Sequence, residues 1–264
     1  MVQYRVVAIS TKGRYREQNE DCLFCVDKGL DGEVSVQYLL EDSLLEDSLL
    51  KDRGDMYFAV FDGMGGMDAG KHASKFCCGR LQQMTGSGAV EKDMGKMIEE
   101  LNQSLCCENK QTGKNMGSTV VLLKLNGSAF RAANLGDSRC YYFDRKKIRQ
   151  ISVDHTEAEE YRRLMSGSPV DGRLLKQMES VLTQYLGVSG DEFVIEPFVS
   201  EEIMIQSGEV LMLCSDGVRE QDMSSVVSIL SSERDLGEKG EMIVKTVIEH
   251  GGKDNITVIL IEKE

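Results

Sequence analysis

No stretch of this chain gathers enough lysine and arginine to neutralise a run of nucleic-acid phosphates. The 31 basic and 44 acidic side chains leave a formal charge of −13 over 264 residues, which argues against a nucleic-acid partner. No apolar run approaches the roughly 20 residues needed to cross a bilayer, so no membrane partner is expected. The N-terminal Met-Val-Gln-Tyr-Arg-Val-Val lacks the basic, apolar and small-residue order of a secretory signal, and the expected location is cytoplasmic. There is no D-x-D-x-D-G loop, so the acidity does not read as a calcium hand. Cys22 and Cys25 form a C-x-x-C, but no second such pair and no histidine pair completes a zinc set. The remaining cysteines lie in apolar surroundings or as neighbours (Cys77–Cys78, Cys106–Cys107) and read as reduced, buried thiols. A redox role for Cys22 and Cys25 stays open.

What is present suits one folded unit. Val, Ile, Leu, Met and Phe recur throughout, hydrophobic residues make up 41%, and no linker divides residues 1–264, so a single domain is expected. Strand-like runs cover 2–9, 22–27 and 56–61, and helices are expected over 69–84 and 89–108. Four strands at 118–125, 127–134, 138–144 and 147–151 read as an antiparallel meander turning at Asn126-Gly127, Gly136-Asp137 and Arg145-Lys146-Lys147. An interrupted helical stretch over 156–186 follows, then strands at 193–199 and 209–214, helices at 218–232 and 237–249, and a last strand at 255–262. Runs of strands beside paired helices predict an α+β layered fold with antiparallel sheets. Residues 39–50 repeat Leu-Leu-Glu-Asp-Ser. A period of five makes no single helical stripe and alternates faces on a strand, so a surface insertion over about 28–54 with partial helix is expected, with a partner-binding lid as the alternative.

Five aspartates stand at the ends of strand candidates: Asp21, Asp62, Asp137, Asp216 and Asp254. One such acid is an ordinary turn residue. Five in the same context suggest convergence on one edge of the sheets, where close carboxylates repel by several kcal/mol per pair unless protons or cations compensate. Hard oxygen ligands of this kind favour Mg²⁺ or Mn²⁺. Gly63, Gly136 and Gly217 beside three of them permit tight turns.

The words around these acids form an ordered series: Arg16-Glu-Gln-Asn-Glu20-Asp21, Asp62-Gly-Met-Gly-Gly66, Gly117-Ser-Thr119, Asn134-Leu-Gly-Asp-Ser-Arg139, Asp154-His-Thr156, Ser215-Asp-Gly217 and Asp254-Asn255. The series resembles the metal-dependent serine/threonine protein phosphatases of the type 2C family, in their compact bacterial form, from about residue 5 to 262. The resemblance implies a four-layer α-β-β-α sandwich, with two central, mainly antiparallel sheets flanked by paired helices and a two-metal centre at one end. It further implies hydrolysis of phosphoserine and phosphothreonine on proteins by a metal-bridging water attacking phosphorus in line. The implied cofactors are two tightly bound Mg²⁺ or Mn²⁺ ions and a third, weaker one.

Matched motif by motif, Asp62 corresponds to the bridging ligand and Gly63 supplies a carbonyl. Asp216 and Asp254 correspond to ligands of one metal. Glu20 and Asp21 mainly orient waters on the other, and Asp137 belongs with Asp216 to the third. Arg16 corresponds to the arginine that grips substrate phosphate, where a bidentate guanidinium does what lysine could not. Asn255 would support Asp254 through its amide. The implied partners are phosphoprotein substrates of a serine/threonine kinase, and the chain is expected to act as a monomer. Met64 and Met67 stand where some relatives carry histidines, so a metal-bound water is the expected proton donor, with His72 as a lesser candidate. Arg139 reads as a structural ion pair, His155 as a structural residue, and 156–190 as the variable flap beside the substrate entrance. A catalytically silent binding module, and a hydrolase of the same centre that prefers small phosphoesters or one dedicated regulatory phosphoprotein, remain the alternatives.

Overall fold

The strands are apolar on both faces, and the packing uses both. Along β1 (Gln3–Thr11), Tyr4, Val6 and Ala8 enter one core while Val7 and Ile9 enter another. The computed structural model describes residues 3–27, 43–51, 55–65, 69–86, 93–165, 172–191 and 193–264. After β1 come β2 (Asp21–Asp27), β3 (Ser43–Lys51), β4 (Met56–Met64), α1 (Ala69–Gly86) and α2 (Met94–Thr112). The middle of the chain holds β5 (Gly117–Ser118), β6 (Val120–Asn126), β7 (Ala129–Leu135), β8 (Arg139–Phe143), β9 (Ile148–Gln150), α3 (Glu157–Leu164) and α4 (Gly172–Met178). The C-terminal part is β10 (Phe198–Val199), β11 (Ile203–Met204), β12 (Val210–Cys214), α5 (Met223–Leu230), α6 (Leu236–Glu249) and β13 (Ile256–Lys263).

Two sheets result. One runs β3-β1-β13-β12-β8-β9; the other runs β10-β7-β6-β4-β2, with β11 on β7 and β5 on β4. All the pairings are antiparallel. Phe58, Val60, Leu123, Leu213 and Ile259 fill the space between the sheets. Phe61, Leu81, Ile98 and Leu101 fill the space between the second sheet and α1 and α2. Met212, Leu260, Ile243 and Val247 fill that between the first sheet and α5 and α6. Three apolar layers between four layers of backbone make the expected α-β-β-α sandwich. Helix α2 shows why its residues take their place. Met94, Met97, Ile98, Leu101 and Leu105 recur at helical spacing on the buried side, and Asp93 caps the start by accepting from Lys96 N–H at 3.0 Å.

Three sequence expectations need correction. The strand expected over 193–199 is confined to Phe198–Val199. Residues 118–151 are not one meander. β6 and β7 pair in one sheet, β8 and β9 pair in the other, and the chain crosses between sheets at Gly136-Asp137. Gly136 has φ +106°, and a Cβ there would lie 2.7 Å from that of Thr119, so glycine is required for this crossing. The Leu-Leu-Glu-Asp-Ser repeat is not helical where it is described, since Ser43–Lys51 is an edge strand on β1. A register shift lets three β3 positions span two on β1, which places Leu45 opposite Ala8 and Leu50 opposite Tyr4. An odd repeat thereby meets the same face of β1 twice. The rest of the expected insertion (28–42, 52–54), Gly66 and Met67, and residues 166–171 of the flap lie outside the described residues.

Candidate active site

The five strand-end aspartates meet at one end of the sandwich. Asp21 opens β2 and stands opposite Asp62 of β4 in the ladder. Asp137 lies in the crossing between β7 and β8, Asp216 follows β12 by two residues, and Asp254 precedes β13 by two. Burial pushes the Asp62 carboxyl well above the ordinary range, and Asp21, Asp216, Asp137 and Asp254 push it further. Burial likewise raises Asp216, with Asp254 adding to it.

Asp21 is held by a polar network inside the protein. Its Oδ2 accepts from Ser215 Oγ at 2.8 Å and from Thr257 Oγ1 at 2.6 Å. Asn19 Nδ2 donates to Ser10 Oγ at 2.8 Å, so the Ser10 proton goes to Thr257 Oγ1, also at 2.8 Å. Asn19 Oδ1 closes the ring by accepting Asp21 N–H at 3.1 Å. Two donors saturate Oδ2. Oδ1 is buried with no hydrogen-bond partner, as is Oδ1 of Asp216. Burial, opposed by the two hydroxyls, lifts Asp21 to about 7.

Asp62 is fixed through its backbone. Its N–H donates to Thr119 Oγ1 at 3.1 Å, and its carbonyl accepts from Thr119 N–H at 2.8 Å and Ser118 Oγ at 3.0 Å. Thr119 Oγ1 also bonds Ser138 Oγ at 2.7 Å, so the Gly-Ser-Thr and Gly-Asp-Ser-Arg words are one contact. Gly63 N–H donates to the Glu20 carbonyl at 3.3 Å. A Cβ at Gly63 would lie 2.0 Å from the Gly70 carbonyl oxygen, so only glycine lets β4 approach α1 here. Asp137 is raised to about 8 by burial first, then by Asp216 and Asp154.

Arg16 donates from Nη2 to Asp254 Oδ2 at 2.7 Å, with about half its side chain exposed. Asn255 departs from expectation. Its backbone N–H donates to Asp254 Oδ1 at 2.8 Å, whereas its side chain grips the 12–20 loop. Nδ2 donates to the Lys12 and Gln18 carbonyls at 3.2 and 2.9 Å, and Oδ1 accepts Glu20 N–H at 2.9 Å. Asn255 therefore positions the segment carrying Arg16, Glu20 and Asp21 as well as Asp254.

Bare, buried carboxylate oxygens among mutually repelling acids fit a hard divalent cation. Among the described residues, no three His, Cys, Asp or Glu converge on one point as a finished ligand shell. Magnesium suits such a place, since it keeps several waters and takes only one or two carboxylates.

The sequence model of the family described as Protein phosphatase 2C matches residues 31–256. The chain belongs to that family. The family's activity, metal-dependent removal of phosphate from serine and threonine of proteins, is the activity of this enzyme. The serine/threonine phosphatase Stp of Listeria monocytogenes is 32% identical over 215 residues, 78% of this chain and 83% of its own. Protein phosphatase PhpP of Streptococcus pneumoniae is 27% identical over 208 residues, 76% of this chain and 82% of its own. Among solved structures, Stp1 of Staphylococcus aureus aligns with TM-score 0.76 at 20% identity, over 100% of this chain and 96% of that one. The catalytic domain of PstP, solved with two manganese ions, aligns with TM-score 0.73 at 19% identity, over 100% of this chain and 99% of that one.

Within this phosphatase the side residues sort out clearly. Arg139 forms a forked pair with Asp154, from Nε at 2.9 and 3.1 Å and from Nη2, and is structural as expected. His155 Nδ1 accepts Gly136 N–H at 3.1 Å, and burial lowers its pKa, so it is a neutral brace for the crossing. His72 is engaged with Glu108 at 2.9 Å and stacks on Phe76, which ties it to α2. Helices α3 and α4 lie in the stretch expected as the flap, where Arg162 reaches Glu179 at 3.2 Å. Sequence reading missed Ser10 and Thr257. Their signal was faint: a hydroxyl at a buried position of an apolar strand, as in Ile256-Thr-Val-Ile.

Proposed function

We propose that Asp62, Asp216 and Asp254, with Asp21 and the Gly63 carbonyl, hold the divalent metal pair of this phosphatase, and that Arg16 receives the substrate phosphate. The observation that carries the reading is the pair of buried, unpartnered oxygens, Asp21 Oδ1 and Asp216 Oδ1, in a group of five acids from five separate strand ends. Mg²⁺ or Mn²⁺ held by these acids would supply charge neutralisation for the phosphoryl group and would lower the pKa of a bound water. The manganese ions of the PstP structure support the choice of metal.

The chain's own groups do the rest. Ser215 and Thr257 turn Asp21 so that Oδ1 alone is available. Asp62 is immobilised through Ser118 and Thr119. Arg16 sits on Asp254 at the exposed edge and exchanges that carboxylate for two phosphate oxygens, a bidentate fit. Asp137, beside Asp216, serves the third, weaker metal. Glu20 faces the start of α1, where a Cβ on Gly70 would lie 2.8 Å from its Oε1, and it orients water. All these groups belong to one chain, which supports a monomer as the working unit. The substrates are phosphoproteins made by a serine/threonine kinase, and eight free cysteines support a reducing, cytoplasmic setting.

Phosphate release from a phosphothreonine peptide, measured with Mn²⁺, with Mg²⁺ and with excess EDTA, tests the assignment. Release is expected to need metal and to vanish in Asp216→Asn and Asp62→Asn with the fold intact. Full activity in Asp62→Asn would overturn it.

A further inference from the structure

The protein carries net charge −13, yet the surface beside Asp254 is basic. Lys12, Arg14, Arg219 and Lys253 are all exposed, and none makes a side-chain ion pair with a described residue. They come from three segments that the fold brings together. Arg14 N–H donates to the Gly252 carbonyl at 2.9 Å. Arg219, Gly252, Lys253 and His250 line one small cleft. Arg219 also acts electrostatically on Asp216. Tyr15, between Arg14 and Arg16, is 69% exposed with no hydrogen bond to a described residue.

The acids nearby do not cancel this charge. Asp222 is buried against His250 at 2.6 Å, Asp254 holds Arg16, and, among the acids of these segments whose side chains are described, only Glu17 and Glu249 are exposed. At physiological salt, charges farther than about 8 Å are largely screened. The local cations therefore outweigh the distant acidic surface for any ligand that reaches them. Exposed tyrosine flanked by arginines is also the composition that carries binding energy at protein interfaces.

We propose that Lys12, Arg14, Tyr15, Arg219 and Lys253 form a docking surface for an acidic segment of the phosphoprotein substrate, adjacent to the phosphorylated residue. The proposal rests on the active-site reading above, because it takes the phosphate to lie at Arg16 and the aspartates. It names a substrate class, phosphorylated residues flanked by aspartate, glutamate or a second phosphate. Favourable electrostatics of this kind act mainly on encounter, so the effect falls on kcat/KM and declines with salt.

The test uses phosphothreonine peptides of one length, flanked by Asp, Ala or Lys, with an aryl phosphate as the small substrate. The wild type is expected to hydrolyse the acidic peptide with kcat/KM about tenfold above the alanine one at low salt, and to lose the preference in high salt. In Arg14→Glu/Lys253→Glu the preference should vanish or invert, while aryl phosphate turnover and melting temperature stay unchanged. Tyr15→Ala should weaken all three peptides without changing aryl phosphate turnover. A wild type indifferent to flanking charge, or a preference that survives the double reversal, would overturn the proposal. If the wild type hydrolyses nothing, the active-site reading fails by itself. Fluorescence anisotropy of the same peptides then decides docking: tighter acidic binding, lost in the double reversal, supports it, and equal binding sinks it.

Discussion

Asp21 and Asp62 occupy directly opposed positions in the β2–β4 ladder. Like charges placed opposite each other weaken a sheet, and both carboxyls are enclosed and pushed upward. The arrangement costs stability unless protons or a cation sit among the acids.

That cost has a definite pH sign. Asp21 at about 7 and Asp137 at about 8 lie above the ordinary unfolded value of about 3.9. Between those limits the native state binds more protons than the unfolded state, so stability falls as pH rises. In EDTA the melting temperature should therefore drop from pH 5.5 to 8.5, and Mn²⁺ should remove most of that drop. A flat EDTA profile would count against the enclosed acids.

Thr257→Val removes one donor to Asp21 Oδ2 and leaves the shape almost unchanged. Calorimetric titration with Mn²⁺ should show a loss of affinity of about tenfold or more, the range for groups that orient metal ligands. Denaturation should show a loss of about 1–3 kcal/mol from the unpaired polar atoms. Lower stability with unchanged affinity would reduce the hydroxyl to a structural role.

Asn255→Ala takes away three side-chain hydrogen bonds to the 12–20 loop. With the loop loosened, Arg16 no longer meets phosphate from a fixed place, so KM should rise more than kcat falls. Steady-state kinetics on one phosphopeptide gives the split. A pure kcat loss would place the effect on the metal ligands instead.

The Arg139–Asp154 pair sits mostly enclosed, with side chains 20% and 12% exposed. Removing one partner leaves an uncompensated charge and should cost about 3–5 kcal/mol. Arg139→Met/Asp154→Leu together should cost less than either change alone. Urea denaturation of the three variants closes the cycle.

The acids were legible in the sequence because each interrupts an apolar strand beside a turn, a pattern that burial makes expensive. The crossing at Gly136-Asp137 was not. A glycine-aspartate turn between two strands looks the same whether the second strand returns to its neighbour or leaves for another sheet, and that choice lies with β12, the partner waiting in the other sheet. The β3 strand was hidden for a related reason. Its five-residue repeat makes sense only with the extra position that β1 forces on it. Ser10 and Thr257 escaped notice because a small or β-branched hydroxyl passes for ordinary strand packing until its partners are known.

The ring around Asp21 has a mechanical side. Asp21 belongs to the β2 sheet, whereas Ser10, Thr257 and Ser215 belong to the opposite sheet or its strand ends. The ring is thus a clasp, at the acid-bearing end, between two plates that meet over most of their area through apolar side chains. Sliding of one plate against the other would be felt first as a change in where Asp21 Oδ1 points. A substitution deep between them, at Phe58 or Leu213, would then reach the phosphatase chemistry as shear, with every acid still in place.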